Sequence, residues 1–367
     1  MRCPPAANTN ICGSSAPLQR QESKNYAGAR VLILGSYAYP DSFEWHLVDS
    51  LRFLGCAVEL VHNQKHIDGT RGYLEKALRK TTNLLVREPE RRIEAHLLRK
   101  ISEFSPTVIL VILGNQLSPK TMRKIRKRTS AQVVCWCQDH MTTLGRQFIV
   151  ACGYDAVFLK DRYMLDLFSR MIRSTKFYYL PEACNPRMHR PLEISEKDRE
   201  VYGCDVMIAG TLAYYRQEIL WQLVQQLQGV HLKIWGSKPD WLLDRLPGRH
   251  MGRLVHGDDK VRAALAAKIC LNTLHYGEVN SLNCRAFEIA GCGGFQLMTR
   301  VPTLAEHFEP EVEVATFADI DELVEKATYY LRYPAAAAAI AARGQTRAHR
   351  DHTYERRLNE LLGIALQ

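Results

Sequence analysis

Several motifs that would indicate a particular chemistry are absent from this chain of 367 residues. The eleven cysteines include no Cys-x-x-Cys pair and no paired Cys/His spacing of the kind that binds zinc. Neither the Gly-x-Gly-x-x-Gly fingerprint of dinucleotide-binding folds nor a P-loop occurs. The scattered thiols, mostly flanked by apolar residues, are typical of buried side chains in a reducing compartment. We therefore predict a chain without disulfides, without a metal site and without a bound cofactor.

The chain also has no segment suited to crossing a membrane. The apolar run at 108–113 is far shorter than the ~20 residues that a helix needs to span a bilayer. Residues 1–24 are rich in Pro, Ser, Asn and Ala, and they lack the apolar core of a signal peptide. We predict a cytoplasmic protein that begins with a disordered leader over residues 1–28.

Positive charge is in excess, because 49 lysines and arginines against 39 acidic residues give a net charge of +10. Such a balance favours anionic partners, among them nucleotide phosphates, acidic lipids and nucleic acid, although a basic surface can also serve solubility alone. One basic segment, a predicted helix at 119–128, lacks the aromatic residues that stack on single-stranded nucleic acid. We predict no nucleic-acid partner and interpret this helix as a solvated face, with weak association to a membrane surface as the alternative.

Short apolar, β-branched segments alternate with longer amphipathic ones in both halves of the chain, which predicts βα units and a parallel sheet. In the first half, strands are predicted at 30–34, 57–61, 107–113, 132–136, 156–160 and 177–180. In the second half, they are predicted at 205–209, 231–235, 269–274 and 295–298. The pattern indicates an α/β fold of two Rossmann-like, doubly wound domains, at 29–190 and 191–350, which face each other across a cleft.

Ligands of open parallel sheets bind beyond the carboxyl ends of the strands, so residues that directly follow strands are the first candidates. Gly210 ends one predicted strand, and Arg216 lies near the start of the next helix. Backbone N–H groups at a helix start and one guanidinium suit a diphosphate. An ordinary βα turn with a solvated arginine explains the same residues, and this feature alone favours that simpler interpretation. Gly236 ends the following strand at the same edge.

The segment at 280–294 carries the most informative pair. Arg285 and Glu288 are three residues apart on a predicted helix that begins near Asn283, so they share one face. The guanidinium could bind a phosphate, and the carboxylate could accept hydrogen bonds from both hydroxyls of a ribose, as in other doubly wound folds. A helix-stabilising ion pair explains the spacing equally well.

Candidate catalytic groups follow strands of the first half. Asp139 and His140 come after the strand at 132–136, where a histidine beside a carboxylate is suited to act as a general base or to bind a sugar hydroxyl. An exposed loop pair without a role is the alternative. Asp41, which follows the first strand, is a weaker candidate for base work.

Short motifs of the second half resemble the glycosyltransferase family that includes the spore-maturation protein CgeB. They occur at 283–288, 293–295, 313–317, 322–323, 330–331, Gly344, 352–354 and Arg357, with upstream pieces at 180–185, 205–210, 234–236 and 268–272. No single piece is specific, but the combination covers the chain from about residue 177 to its end. The first half is similar in style but looser.

This resemblance implies a GT-B fold, with a nucleotide-sugar donor bound by the second domain and an acceptor by the first. It makes Glu288 the expected ribose ligand, Arg285 a donor-site residue, and Arg216 with Gly210 the candidate for the diphosphate. Gly236, Asn280 and Asn283 complete the predicted donor site. It also implies that the final helix, at 351–367, crosses back to the first domain. Related retaining enzymes carry a glutamate at the position of Asn280, so the sugar contact and the stereochemical outcome stay open.

The resulting hypothesis is a glycosyltransferase that moves a sugar from a nucleotide-sugar to an unknown glycan, lipid-linked or protein acceptor. A metal is not needed, because helix N-termini and cationic side chains can neutralise the departing diphosphate. Two alternatives share the fold: a non-catalytic sugar- or nucleotide-binding protein, which Asn280 favours, and a sugar-nucleotide epimerase.

Overall fold

The computed structural model of the protein describes residues 26–35, 40–62, 88–112, 117–139, 148–236 and 245–367. These residues form two parallel sheets, one of six strands and one of five. Nine cysteines lie in the described residues, and all nine are free thiols. No described helix is long and apolar enough to cross a membrane. The leader predicted at 1–28 lies almost wholly outside the described residues.

The first sheet has the strand order β2-β1-β3-β4-β5-β6, with all neighbours parallel. Its strands are β1 (Arg30–Gly35), β2 (Ala57–His62), β3 (Val108–Ile112), β4 (Gln132–Cys137), β5 (Ala156–Leu159) and β6 (Phe177–Tyr179). The helices are α1 (Phe43–Phe53), α2 (Glu88–Phe104), α3 (Pro119–Arg126) and α4 (Arg162–Met171), with a 3₁₀ turn at Phe148–Val150. All five residues of β3 are buried because the sheet has an apolar core on each face, which explains its unbroken apolar sequence.

The second sheet has the order β11-β10-β9-β7-β8 and is also parallel. Its strands are β7 (Cys204–Ala209), β8 (Leu232–Trp235), β9 (Ala267–Asn272), β10 (Gln296–Thr299) and β11 (Ala315–Phe317). The helices are α5 (Glu196–Tyr202), α6 (Tyr214–Gln226), α7 (Asp258–Ala266), α8 (Cys284–Cys292), α9 (Ile320–Arg332) and α10 (Pro334–Asp351), with a 3₁₀ turn at Pro302–Glu306.

The final helix, α11 (Tyr354–Ala365), returns to the first sheet. Leu358, Leu361 and Leu362 are fully buried in the same core as the strand residue Val31 and the α1 residue Leu47. Thr353 caps the helix by accepting a hydrogen bond from the backbone N–H of Arg356. The predicted fold of two Rossmann-like domains with a helix crossing back is therefore confirmed, while the domain boundaries at 28/29, 190/191 and 350/351 stay predictions.

Two helices were not predicted from the sequence. Helix α4 begins at an Asp161 cap, and α5 begins at Ser195, whose hydroxyl and the Asp198 carboxylate form a capping box. Each cap satisfies backbone N–H groups that the first helical turn leaves without partners. The Ser195 to Asp198 spacing was the available sequence signal for α5.

Candidate functional site

The carboxyl ends of the two sheets meet across a cleft, and polar side chains from both domains contact each other there. Asp41, from the loop after β1, accepts a hydrogen bond from the backbone N–H of Gly257 in the second domain at 2.9 Å. Lys160, at the end of β5, donates to Glu278 of the second domain at 2.6 Å. This is the edge at which ligands of open parallel sheets bind.

Two arginines of the second domain lie together at the turn that follows β7. Arg285 donates to the carbonyl of Ala209 at 2.6 Å, and Arg216 donates to the carbonyl of Thr211 at 2.7 Å. Among the described residues, no carboxylate lies within 4 Å of either guanidinium, and the buried Nε atom of each has no hydrogen-bond partner. Burial and the neighbouring Arg285 charge lower the pKa of Arg216 to about 10. An anion bound here would accept hydrogen bonds from the two guanidinium groups and offset the repulsion between their charges.

The glycines of this edge make room for that arrangement. Gly210 has a φ of 110°, and a Cβ added to it would lie 2.3 Å from the Nη1 atom of Arg285. A Cβ on Gly236 would lie 2.3 Å from the carbonyl oxygen of Gly210. Both predicted glycines are therefore required for the close approach of Arg285 to the β7 turn.

Helix α8, which carries Arg285 and Glu288, is fixed at its start by buried amides. Asn283 caps the helix by accepting from the N–H of Ala286 at 3.1 Å. Its amide also exchanges two hydrogen bonds with the amide of Asn272, at 2.9 and 3.1 Å. The structure thus places Asn283, a predicted donor-site residue, as a cap that orients the other two.

Glu288 lies in a buried charge cluster that joins the two domains, together with Lys260, Asp41, His189 and His46. The Lys260 ammonium lies 2.8 Å from Asp41 and 3.0 Å from Glu288. The ring Nε2 atoms of His46 and His189 lie 3.1 and 3.2 Å from the same Asp41 oxygen. Lys260, Glu288 and Arg285 also border one small cavity with apolar walls. Sequence reasoning missed Lys260 and both histidines.

The protonation of this cluster follows from its contacts. Burial raises the pKa of Asp41, but hydrogen bonds from the two histidines and the Lys260 charge outweigh it and hold that pKa far below its ordinary value. Burial raises the pKa of Glu288, but the charge of Lys260 and the two histidines together outweigh it and lower that pKa. Burial and Lys260 lower the pKa of His189 to about 4. His189 Nδ1 accepts from the N–H of Asn185, so its Nε2 carries the proton that it donates to Asp41.

Four of these side chains, Asp41, His46, His189 and Glu288, place potential ligand atoms within 4.8 Å of one another, as a metal site would require. In this arrangement the Lys260 ammonium supplies the positive charge between the two carboxylates. The only Asp-x-Asp triplet of the sequence, at 319–321, lies elsewhere: Asp319 caps α9 by accepting from the N–H of Glu322.

A second buried lysine bridges the cleft near β5 and β6. Lys160 lies 2.6 Å from Glu278 and 3.7 Å from Glu182, and both it and Glu182 are buried. Burial, together with the charges of Asp139, Glu278 and Glu288, raises the pKa of Glu182 to about 8, although Lys160 opposes the rise. Glu182 is therefore mostly protonated at neutral pH. The segment at 180–185 was part of the family resemblance, but Glu182 itself was not predicted as a site residue.

The remaining predicted residues have separate fates. The Asn280 side chain points to the hydroxyl of Thr303, and its carbonyl accepts from the N–H of Arg162 at 3.3 Å. Asp139 is exposed, and its charge acts to raise the pKa of Lys160. His140 lies outside the described residues. The structure therefore brings Gly210, Arg216, Gly236, Asn283, Arg285 and Glu288 together, and it places Asp41 in the charge cluster around Glu288. Asn280 and Asp139 lie in other parts of the cleft.

Comparison with known proteins supports the fold. Residues 216–363 match the family model described as "Glycosyl transferase-like". Sucrose-phosphate synthase from Thermosynechococcus elongatus aligns over 91% of this chain and 97% of its own, with a TM-score of 0.64 and 13% identity. HepE of Anabaena, solved in complex with UDP and glucose, aligns over 92% and 99%, again with a TM-score of 0.64 and 13% identity. The trehalose 6-phosphate synthase of Burkholderia multivorans aligns over 92% of this chain and 98% of its own, with a TM-score of 0.61 and 11% identity. No curated protein sequence matches the chain significantly.

These findings confirm the predicted GT-B architecture. The match to the family model covers residues 216–363, which is less than half of the chain. The matched residues include Arg216, Lys260, Arg285 and Glu288, whereas Gly210 of the candidate donor site precedes the match. The narrower resemblance to the family that includes CgeB stays a prediction.

Proposed function

We propose that the protein is a glycosyltransferase that takes a sugar from a nucleotide diphosphate donor and transfers it to an acceptor hydroxyl. The observation that carries the proposal is the pair of guanidinium groups, Arg216 and Arg285, whose charges no described carboxylate within 4 Å balances. A diphosphate has the charge and the acceptor oxygens that both groups lack. The complexes of HepE with UDP and UDP-glucose make uridine nucleotides the first candidates.

In this proposal the departing diphosphate is stabilised by the protein alone. Arg216 and Arg285 donate to its oxygens, and the N-terminus of α6 at Tyr214 adds the positive end of a helix dipole. Neutralising the leaving group lowers the energy of the transition state in which the sugar–phosphate bond breaks. We therefore propose that transfer needs no metal ion and no cofactor.

Glu288 is the proposed ribose ligand. Lys260 keeps its carboxylate ionised, and an ionised carboxylate can accept hydrogen bonds from two neighbouring hydroxyls. Helix α8 carries Glu288 one turn beyond Arg285, so the ribose would lie next to the diphosphate.

The structure changes which first-domain carboxylate we propose as the base. Asp41 already accepts from His46, His189, Gly257 and Lys260, and its lowered pKa makes it a weak proton acceptor. We propose that Asp41 holds the two domains together. Asp139 is the exposed carboxylate of the same edge and stays the candidate base for an inverting reaction.

Incubation with UDP-, GDP- and dTDP-sugars, each with magnesium and then with a chelator, tests the proposal. We expect one donor to release its nucleotide in both conditions, and Glu288→Ala to abolish this turnover while the protein stays folded. A matched control is Glu309→Ala, which removes an exposed carboxylate outside the cleft.

Undiminished turnover in Glu288→Ala would remove that residue from the site. Nucleotide binding without turnover of any donor would favour the non-catalytic alternative, and a product that is an isomerised donor would favour the epimerase. Turnover only with magnesium would contradict the metal-free mechanism.

A further inference from the structure

The candidate donor groups follow one another in a fixed order along the wall of the second domain. Glu288 lies one helical turn from Arg285, and Arg285 reaches the β7 turn beside Arg216. Tyr215 directly precedes Arg216, and its ring meets that of Tyr276 edge to face, with centroids 6.3 Å apart. The row therefore runs from a carboxylate, through two guanidinium groups, to a pair of aromatic rings.

The aromatic end of the row is open to solvent. Tyr276 is 72% exposed and Tyr215 is 40% exposed. The Tyr276 ring also packs on the ring of His275, with centroids 3.9 Å apart. Two tyrosine rings therefore lie together at the rim of the cleft, where a ligand could pack on them.

A polar group adjoins these rings on the same loop. Glu278 follows Tyr276 by two residues, and its carboxylate is held by Lys160 across the cleft and by the hydroxyl of Ser281. The Glu278 charge also acts to raise the pKa of Arg216, although the two groups lie more than 4 Å apart. The end of the row thus offers an aromatic face next to a fixed hydrogen-bond acceptor, the combination that a sugar ring requires: an apolar face and hydroxyl groups on its edge.

A nucleotide-sugar is itself a row of three parts, with a nucleoside at one end, two phosphates in the middle and a sugar at the other end. With the ribose at Glu288 and the phosphates at Arg285 and Arg216, the sugar reaches the rings of Tyr215 and Tyr276. We propose that these two tyrosines form the sugar subsite of the donor, with the C–H face of the sugar packed on the Tyr276 ring. The inference rests on the proposed function and assigns the direction in which the donor lies.

The opposite direction is the competing arrangement, because a nucleobase also stacks on aromatic side chains. The two directions differ in a simple way. If the sugar packs on Tyr276, the ring matters for a nucleotide-sugar and not for the bare nucleotide. If the base packs there, the ring matters equally for both.

The experiment is a calorimetric titration of UDP and of UDP-glucose, UDP-galactose and UDP-N-acetylglucosamine, without acceptor, into the full chain. The variants are Tyr276→Ala, Tyr276→Phe, which keeps the ring, and Tyr329→Ala as a control. Tyr329 lies on α9 and is 48% exposed, so it matches the change without touching the cleft. We expect Tyr276→Ala to raise the dissociation constant of the tightest nucleotide-sugar about 3- to 10-fold. The affinity of Tyr276→Ala for UDP should stay within about twofold of the wild type. Tyr276→Phe and Tyr329→Ala should bind both UDP and the nucleotide-sugar within the same limit.

Equal weakening of UDP and the nucleotide-sugar by Tyr276→Ala would overturn the inference in favour of a stacked base. No weakening of either ligand would overturn it as well, and in both cases the proposed function would stand. If the wild type bound neither UDP nor any of the three sugars, the proposed function would fail first.

Discussion

The cleft holds two kinds of cation, and their surroundings differ sharply. Lys260 lies within 4 Å of two carboxylates, Asp41 and Glu288. Lys160 lies within 4 Å of the Glu278 carboxylate and of the Glu182 carboxyl group, which is mostly protonated at neutral pH. Arg216 and Arg285 lie in the same cleft, but no described carboxylate is within that distance of their guanidinium groups. The lysines also bridge the two domains, whereas each arginine donates a hydrogen bond to a carbonyl of its own domain.

This difference separates charge that maintains the structure from charge that is available to a ligand. A buried ammonium between two carboxylates is already compensated, so adding an anion would gain little there. Two neighbouring guanidinium groups that have no carboxylate within 4 Å among the described residues repel each other and are incompletely hydrogen-bonded, which costs stability until an anion binds. Preorganised, uncompensated cations are what the stabilisation of a departing diphosphate requires.

Removal of a paired lysine should have the largest effect on stability. Lys260→Met leaves Asp41 and Glu288 buried without their shared cation, so we expect the free energy of unfolding to fall by about 3 kcal/mol. Urea denaturation at pH 7 measures it. Lys268→Met is the matched control, because Lys268 pairs with Asp205 on the surface, and this change should cost less than about 1 kcal/mol. Equal stability of the two variants would contradict a structural role for Lys260.

The acid that faces Lys160 should give a pH-dependent effect of intermediate size. The pKa of Glu182 is about 8 in the folded protein against an ordinary value of 4.5, so between these values the folded state keeps a proton that the unfolded state releases. Its contribution to stability is therefore complete below pH 4.5 and is lost as the pH rises towards 8, by about 1 kcal/mol per pH unit.

Glu182→Gln removes this dependence and keeps the neutral shape. We expect the stability of the variant relative to the wild type to rise steadily when urea denaturation is repeated at pH 5, 6, 7 and 8. The pKa of His189 is lowered to about 4, so its contribution to the stability of the folded protein rises with pH up to about 6.5. This contribution is the same in the wild type and the variant, and it cancels in the difference between them. A difference that is constant with pH would show that Glu182 is ionised throughout.

Removal of an unpaired arginine should have the smallest effect on the free protein. Arg216→Gln removes a buried charge beside a like charge, so we expect the free energy of unfolding to stay unchanged or to rise by about 1 kcal/mol. Saturating UDP should raise the melting temperature of the wild type but not of the variant. A loss of stability comparable to that of Lys260→Met would erase the distinction between the two kinds of cation.

Most of the architecture could be predicted from the sequence, because apolar runs record burial directly. Strand β3 and its neighbours lie within one or two residues of their predicted positions, and the final helix lies within its predicted range of 351–367. Helix α4 was missed, although its Asp161 cap was visible in the sequence. The return of α11 to the first domain was expected only from a family resemblance, since a helical pattern does not say which surface it covers.

The site was predicted unevenly for a related reason. Arg285 and Glu288 are neighbours on one helix, so their spacing revealed a shared face. Asp41 contacts Gly257 at a sequence separation of 216 residues, and Lys160 contacts Glu278 at a separation of 118. No local sequence pattern indicates such contacts. That no described carboxylate lies within 4 Å of the Arg216 guanidinium is likewise a property of the folded cleft.

The most direct test of the account is calorimetric titration of UDP, with a chelator present, into the wild type and the Arg216→Gln/Arg285→Gln double variant. Arg170→Gln, a surface change on α4, is the control. We predict that the wild type and the control bind UDP without metal. The folded double variant should bind at least about 100-fold more weakly, since each charge-assisted hydrogen bond contributes about 1.5–3 kcal/mol. UDP affinity that is unchanged in the double variant would contradict the central claim that the unpaired arginines are the diphosphate site.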